Sequence, residues 1–174
     1  SLSSPKVVKA TINTEEFSFS VVRGLAALYQ TGCDEVELKF NDPAIFKQIQ
    51  EYTNTLLPGY EIINQKNNRC LIKNISVGLN NEFEPLLRRY FMITLQMADN
   101  FLEVIETKNF AGLNELLILE KTNNKFANLC TRLLNKGGPR DIRKNAFLHS
   151  IISDFEKIAD EYEYMCKYLL DEKE

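Results

Sequence analysis

Hydrophobic and polar positions change their period once along the chain, near residue 76. Before that point short alternating runs interleave with short helical patterns; after it every pattern is helical. Lys6–Ile12 is β-branched and strand-like. Thr14 is placed to cap a helix running to Gly32, with Phe17, Val21, Leu25 and Leu28 along one face. Asp34–Phe40 sets Val36, Leu38 and Phe40 against Glu35, Glu37 and Lys39, the alternation of a half-buried strand. Asp42-Pro43 supplies a cap and a first-turn proline for a helix to about Leu57, which Pro58-Gly59 breaks. Glu61–Gln65 and Arg69–Ile75 read as two strands joined by a polar turn at Lys66-Asn67-Asn68. The order β-α-β-α-β-β predicts a small sheet with two helices on one face.

Ser76–Asn81 is a short polar linker, and three long helical patterns follow. One runs from about Glu82 to Lys108, with Leu87, Phe91, Thr94, Ala98, Phe101 and Ile105 in steps of four and three. The next runs from about Leu113 to Lys136, with a stripe of Leu113, Leu117, Glu120, Asn124, Ala127, Thr131 and Leu134. The last runs from about Arg140 to Leu170, with a seam of Leu148, Ile152, Phe155, Ala159, Tyr162, Cys166 and Leu169. Short turns at Asn109–Gly112 and Gly137-Gly138-Pro139 predict an antiparallel three-helix bundle. The expected fold is therefore α+β: a small α/β domain over residues 5–76 and a helical bundle over residues 80–174.

Composition narrows the function. The 174 residues carry a net charge of -3, which argues against nucleic-acid binding through a broad basic face. No stretch approaches the roughly 20 apolar residues that span a bilayer, and no leader pattern is present. The opening Ser1-Leu-Ser-Ser4 reads as the edge of an excised fragment. The four cysteines are widely scattered and form no CxxC, so they read as reduced thiols of a cytoplasmic protein. The only histidine is His149, mid-helix and without a Ser or Cys partner in its context. No P-loop or GxGxxG is present, and an enzyme is the least favoured class.

The candidate chemistry lies in the last two helices. Glu156-Lys-Ile-Ala-Asp160 puts two carboxylates on one helical stripe, and Glu120-Lys-Thr-Asn-Asn124 echoes it with an amide in the second place. Pairing the helices about residue 140 sets Glu120 level with Asp160 and Asn124 level with Glu156. Pairing the first two about residue 110 adds Asp99 to the layer, with Glu103 one turn away and His149 about 10 Å off. Such a layer suits Mg, Ca, Mn or Fe; the same spacing also describes a solvated, salt-bridged helix face. A second candidate is a basic end of the bundle formed by Arg88, Arg89, Arg132, Lys136, Arg140 and Arg143. It would take a phosphate or nucleotide at the opening of the last helix, or would only complement helix dipoles. Tyr162, Tyr164 and Tyr168 span more than one side of that helix, which leaves one side for packing and another for a partner.

Glu156-Lys-Ile-Ala-Asp160, following the aromatic Phe155, is similar to the ExIxD-type signature of PhoU proteins, regulators of phosphate uptake. Leu86-Leu87-Arg88-Arg89-Tyr90-Phe91 and the three long helices fit the same repeat. Gly32-Cys-Asp-Glu-Val-Glu37, Gly59-Tyr-Glu-Ile-Ile63 and Asn68-Arg-Cys-Leu-Ile-Lys73, in this order before one helical repeat, resemble the archaeal PhoU-like regulators over nearly all of residues 6–170. The resemblance implies a non-catalytic, cytoplasmic regulator of phosphate uptake or signalling that works by protein contact. Its implied partners are a phosphate transporter ATPase or a sensor kinase. It also implies a metal cluster, often iron or zinc, through Glu120 with Asn124 and Glu156 with Asp160. Asn124 departs from the acid expected there, and Glu161 stands where the family usually has histidine. Full-length relatives carry two repeats; this chain has one, so the resemblance implies a homodimer. An upstream AbrB-like DNA-binding domain, frequent in archaeal relatives, is not part of this chain.

Overall fold

A computed structural model describes residues 7–15, 20–76, 82–137 and 141–171. The chain is α+β: a four-stranded mixed sheet with two helices, followed by three long helices. The elements in order are β1 (Lys9–Asn13), α1 (Val21–Gln30), β2 (Glu35–Lys39), α2 (Pro43–Leu56), β3 (Tyr60–Lys66) and β4 (Arg69–Asn74). The long helices are α3 (Phe83–Thr107), α4 (Gly112–Gly137) and α5 (Ile142–Asp171).

The sheet order is β1-β2-β4-β3, with β1 parallel to β2 and both other pairings antiparallel. The alternation in β2 works as expected: Val36 and Leu38 are fully buried, and the residues between them face outward. On that outer face Glu35 is held by Lys9 at 2.8 Å and Lys73 at 3.0 Å. Asn67 and Asn68 both take positive φ, the two-residue turn that matches the twist of an antiparallel pair. Asp42 caps α2 by accepting from the Ala44 N–H at 2.8 Å, with Pro43 in the first turn.

Helix α1 is shorter than the sequence pattern predicts. It begins at Val21, and Thr14 lies in a turn instead of at a cap. Phe17 lies outside the described residues, as do Lys6, the linker residues 77–81 and the turn residues 138–140. Leu25 and Tyr29 of α1 and Ile49 of α2 pack on the apolar face of the sheet, with Val36, Leu38, Tyr60, Cys70 and Ile72.

The long helices share two further apolar clusters. Tyr90, Ala127, Cys130, Leu134 and Ile152 form one; Ile93, Met97, Leu113, Leu116, Ala159 and Cys166 lie in the other. The predicted α5 seam is the observed one: Ile152, Ala159 and Cys166 are buried, with Leu148, Phe155, Tyr162 and Leu169 packed beside them. The other two seams are displaced. In α3 the buried positions are Tyr90, Ile93, Thr94, Met97 and Val104, while Ile105 is exposed. In α4 the buried stripe is Leu113, Leu116, Glu120, Asn123, Ala127, Cys130 and Leu134, which replaces Leu117, Asn124 and Thr131 by the residue before each. Hydrogen bonds knit these helices. Tyr90 donates its hydroxyl to the Ile152 carbonyl at 2.8 Å, and Asn123 donates to Thr94 Oγ1 at 2.8 Å.

Gly32 ends α1 with φ +89, a conformation that costs a residue with a Cβ about 1–2 kcal/mol, and its added Cβ would stand 2.7 Å from Lys136 Cγ. Gly32→Ala is expected to lower stability by about 1–2 kcal/mol, seen as a lower urea midpoint with an unchanged slope.

Candidate functional site

The two parts of the fold meet along one polar stripe of α4. Asn124, Asn128, Arg132 and Lys136 recur every four residues, so they share a face, and that face is turned to α1 and α2. Asn128 donates to the Leu56 carbonyl at 3.1 Å and accepts from Gln30 at 2.8 Å. Asn135, beside the stripe, donates to the Gln30 carbonyl at 2.8 Å, and its own oxygen meets His149 Nε2 at 2.9 Å.

Arg132 is the centre of this stripe. Its side chain is 3% exposed. One guanidinium nitrogen donates to the carbonyls of Tyr29 (2.8 Å) and Cys33 (2.7 Å), the other to Asp34 Oδ1 (2.8 Å). Its carbon stands 4.8 Å from the Tyr29 ring centre and 5.4 Å from that of Tyr60. The two rings are edge-to-face, and the Tyr60 hydroxyl donates to the same Cys33 carbonyl at 2.7 Å. Lys136 also pairs with Asp34. Burial alone raises the Asp34 pKa. Hydrogen bonds from Lys136 and the Val8 N–H, and the charges of Lys136 and Arg132, outweigh it and hold the carboxyl below its ordinary value.

This geometry corrects the expectation of a basic anion-binding end. Arg132 and Lys136 are committed to Asp34 and to the α1 terminus, and the burial of Arg132 closes it to a solute. Arg88, Arg89 and Arg143 are exposed on α3 and α5, and Arg140 lies outside the described residues.

The predicted layer is met in part: Glu120 feels the Asp160 charge, and Asn124 and Glu156 line one pocket. His149 meets Asn135, about one turn beyond the residue 131 that counting paired with it, so α5 is slid along α4 relative to the expected register. Asp99 is exposed on α3 and stands outside the group, as does exposed Glu103. Glu120 is buried, and Asn124 donates to its Oε1. Burial pushes the Glu120 carboxyl up to about 7, with help from the charges of Glu163 and Asp160. Asp160 is raised by burial and by Glu163 and Glu161, while Lys167 pairs with Glu163 at 2.7 Å. Glu156 is raised by burial and by Asp160, and it lines a different space. Among the described residues no three Asp, Glu, His or Cys side chains are gathered to hold a metal ion. The carboxylates that remain together form a line along α5 with Glu120 beside it, which does not fit the multi-carboxylate cage expected of Glu120, Asn124, Glu156, Asp160 and Asp99.

Glu156 faces a pocket of about 320 Å³ between the two parts of the fold. Arg23, Gln30 and Tyr52 line it from α1 and α2, and Asn124 and Asn128 from α4. Sequence reasoning took Asn124 and Glu156 for one layer and overlooked Arg23, Gln30 and Tyr52. The four-residue recurrence of Asn124, Asn128, Arg132 and Lys136 was the available signal, because a solvated face seldom carries two asparagines in successive turns. No helix among the described residues is long and apolar enough to cross a membrane. Comparisons with protein-family models, curated proteins and solved structures returned no match.

Arg132→Met is expected to lower stability by about 2–4 kcal/mol, because it removes three charge-assisted hydrogen bonds, to Asp34 and to the Tyr29 and Cys33 carbonyls. Arg132→Lys should recover less than half of that, since an ammonium cannot span three acceptors. Urea unfolding measures both, and a loss below about 1 kcal/mol for Arg132→Met would show the contact to be incidental. Glu120 gives a pH signature. The folded state binds its proton more tightly than the unfolded state, so stability falls as pH rises from about 4.5 to about 7. With allowance for partial solvation, Glu120→Gln should stabilise the fold by about 1–2 kcal/mol at pH 8 and change little at pH 4, read as thermal midpoints at both pH values.

Proposed function

We propose that this chain is a non-catalytic regulatory module that acts by protein contact and works as a homodimer. The carrying observation is an apolar face left open on the long helices. Met92, Leu95, Leu102 and Ile105 of α3 are 53%, 56%, 56% and 43% exposed, in steps of three and seven that keep one seam. Ile158, Tyr164, Met165 and Tyr168 of α5 are exposed beside them. A groove of about 450 Å³ lined by Phe101, Ile105, Tyr164, Met165, Tyr168 and Leu169 runs between the two helices. A coherent apolar face of this kind marks an interaction surface.

A second copy suits this face because α4 is already occupied on its far side by the α/β part. Two α3–α5 faces laid together bury the seam in an isologous contact and give a pack of six long helices. The three-helix, PhoU-like reading of α3 to α5 agrees with this arrangement, since that family doubles its repeat. The link to phosphate uptake rests on the sequence resemblance, with a transporter ATPase or a sensor kinase as the partner class. The cysteines support a non-catalytic reading: burial pushes Cys70 and Cys166 up to about 11 and Cys130 to about 12, so none of these thiols is poised as a nucleophile. His149 is bonded to an asparagine and not to a hydroxyl or thiol.

Sedimentation equilibrium tests the dimer. The wild-type chain is expected to dimerise at micromolar concentration, and Leu102→Glu, an exposed position in the monomer, should weaken association at least about tenfold while leaving the monomer's helical content intact. A wild-type chain that stays monomeric at about 100 μM would refute it.

A further inference from the structure

The pocket between the two parts of the fold is distinguished by what its lining leaves unpaired. Its amides are only partly used: Gln30 donates to Asn128, and Asn128 donates to Leu56. Asn124 Oδ1 is buried and meets no donor. Glu156, a few turns along the neighbouring helix, has burial and the charges of Asp160 and Lys157 acting on it, with no hydrogen-bond donor among the described residues. Both oxygens belong to residues lining the same space. Asn124 Oδ1 is closed to water, so the open acceptor on this side is the unpaired Glu156 carboxylate, which favours a compact, donor-rich cation.

The opposite side carries the complementary charge. Arg23 of α1 lines the pocket, and its side chain meets no carboxylate among the described residues. Tyr52 reports how close the two charges come. After burial, the chief cause of its raised pKa, the Glu156 charge raises it further and the Arg23 charge opposes that rise. One phenol therefore feels an anion and a cation that do not pair with each other.

Charge and size together define the ligand. A phosphate would meet Arg23 but also the Glu156 carboxylate. A divalent cation would find one carboxylate and one neutral amide, with a guanidinium facing them, a poor donor set for Mg or Ca. A volume of about 320 Å³ lies at the small end of ligand sites, which favours a small molecule. We propose that this pocket binds a small zwitterion, an α-amino acid, with its ammonium on Glu156 and its carboxylate on Arg23. An ammonium brings three donors to the unpaired Glu156 carboxylate, and a guanidinium fork matches a carboxylate. The bound molecule touches α1 and α2 on one side and α4 and α5 on the other, so occupancy tightens the union that Arg132 makes. The proposal does not depend on the dimer face, which lies on the far side of α3 and α5.

Calorimetry on the intact chain, with each standard L-amino acid at up to about 10 mM, tests this. At least one amino acid is expected to bind with a dissociation constant below about 1 mM. Its N-acetyl derivative, which removes the ammonium, and its carboxamide, which removes the carboxylate, should each bind at least about tenfold more weakly. Glu156→Gln and Arg23→Gln should each weaken the parent amino acid by a similar factor while melting as the wild type does without ligand. The derivative series is read on the wild-type chain, so it decides the question even if a variant folds poorly. Binding of no amino acid, equal binding of both blocked derivatives, or binding of inorganic phosphate, Mg, Ca or Zn in place of amino acids would overturn the proposal.

Discussion

A guanidinium buried at the C-terminal end of a short helix is the constraint on which the rest of the structure depends. Taking Arg132 out of water is costly, and only a site that answers its donors and its charge makes that burial tolerable. The site does so with backbone. The α1 terminus is the negative end of a helix dipole, and the carbonyls of Tyr29 and Cys33 converge there on one guanidinium nitrogen. Gly32 makes the convergence possible, because its positive φ turns the chain back between those two carbonyls. Asp34 supplies the balancing charge, and the guanidinium lies over the Tyr29 and Tyr60 rings. Remove the arginine and Asp34 and the two carbonyls each lose a donor, keeping only Lys136 and the Val8 N–H, the Gly32 N–H and the Tyr60 hydroxyl. The arrangement therefore specifies one docking geometry more than it adds raw stability.

That geometry explains the division of labour among the long helices. Helix α4 is used on two sides, by α3 and α5 through Leu113, Leu116, Asn123 and Cys130, and by α1 and α2 through Asn128 and Arg132. Helices α3 and α5 are used on one side only. Their outer residues can stay apolar because the α/β part sits elsewhere, and this is where Leu102 and Tyr168 are exposed. The pocket beside Arg132 has the same origin. A polar stripe cannot close against two helices as tightly as an apolar one, since each amide must point at its partner. Gln30, Asn128 and Leu56 close part of the seam, and space remains where Asn124 and Glu156 face Arg23 and Tyr52.

How far the sequence showed this depends on the kind of signal. The β2 alternation, the Asp42 cap and the α5 seam were legible because each is local: side-chain period and capping need no knowledge of a partner. The α1 start was not, because Thr14 has the chemistry of a cap but lies in a turn next to β1, and propensity yields to the course of the chain. The α4 stripe was half legible. Leu113, Glu120, Ala127 and Leu134 were right, whereas Leu116, Asn123 and Cys130 were each misplaced by one residue. A helix buried on two faces carries two overlapping periods, and the reading followed only one. The carboxylate layer was legible only in part, with Glu120 near Asp160 and Asn124 near Glu156 but Asp99 outside, for a related reason. Counting from a turn assumes that helices start level, and a slip of one turn is enough to send Glu156 to the pocket and leave Glu120 beside Asp160 and Glu163.

The surviving polar groups are not placed where stability alone would put them. Glu120 binds its proton up to about pH 7 because it is buried beside two acids, and Asn123 and Asn124, adjacent in sequence, each leave an oxygen unmet on α4. An aliphatic residue at any of these positions would pack without such a cost. Local conflict of this kind is expected where a sequence serves something besides its fold. Here the conflicts fall along one helix, the element that both parts of the molecule share, and one of them, Asn124, lines the pocket. A ligand in that pocket would lie against α1, α2, α4 and α5 together, at the joint that Arg132 and Asn128 also make.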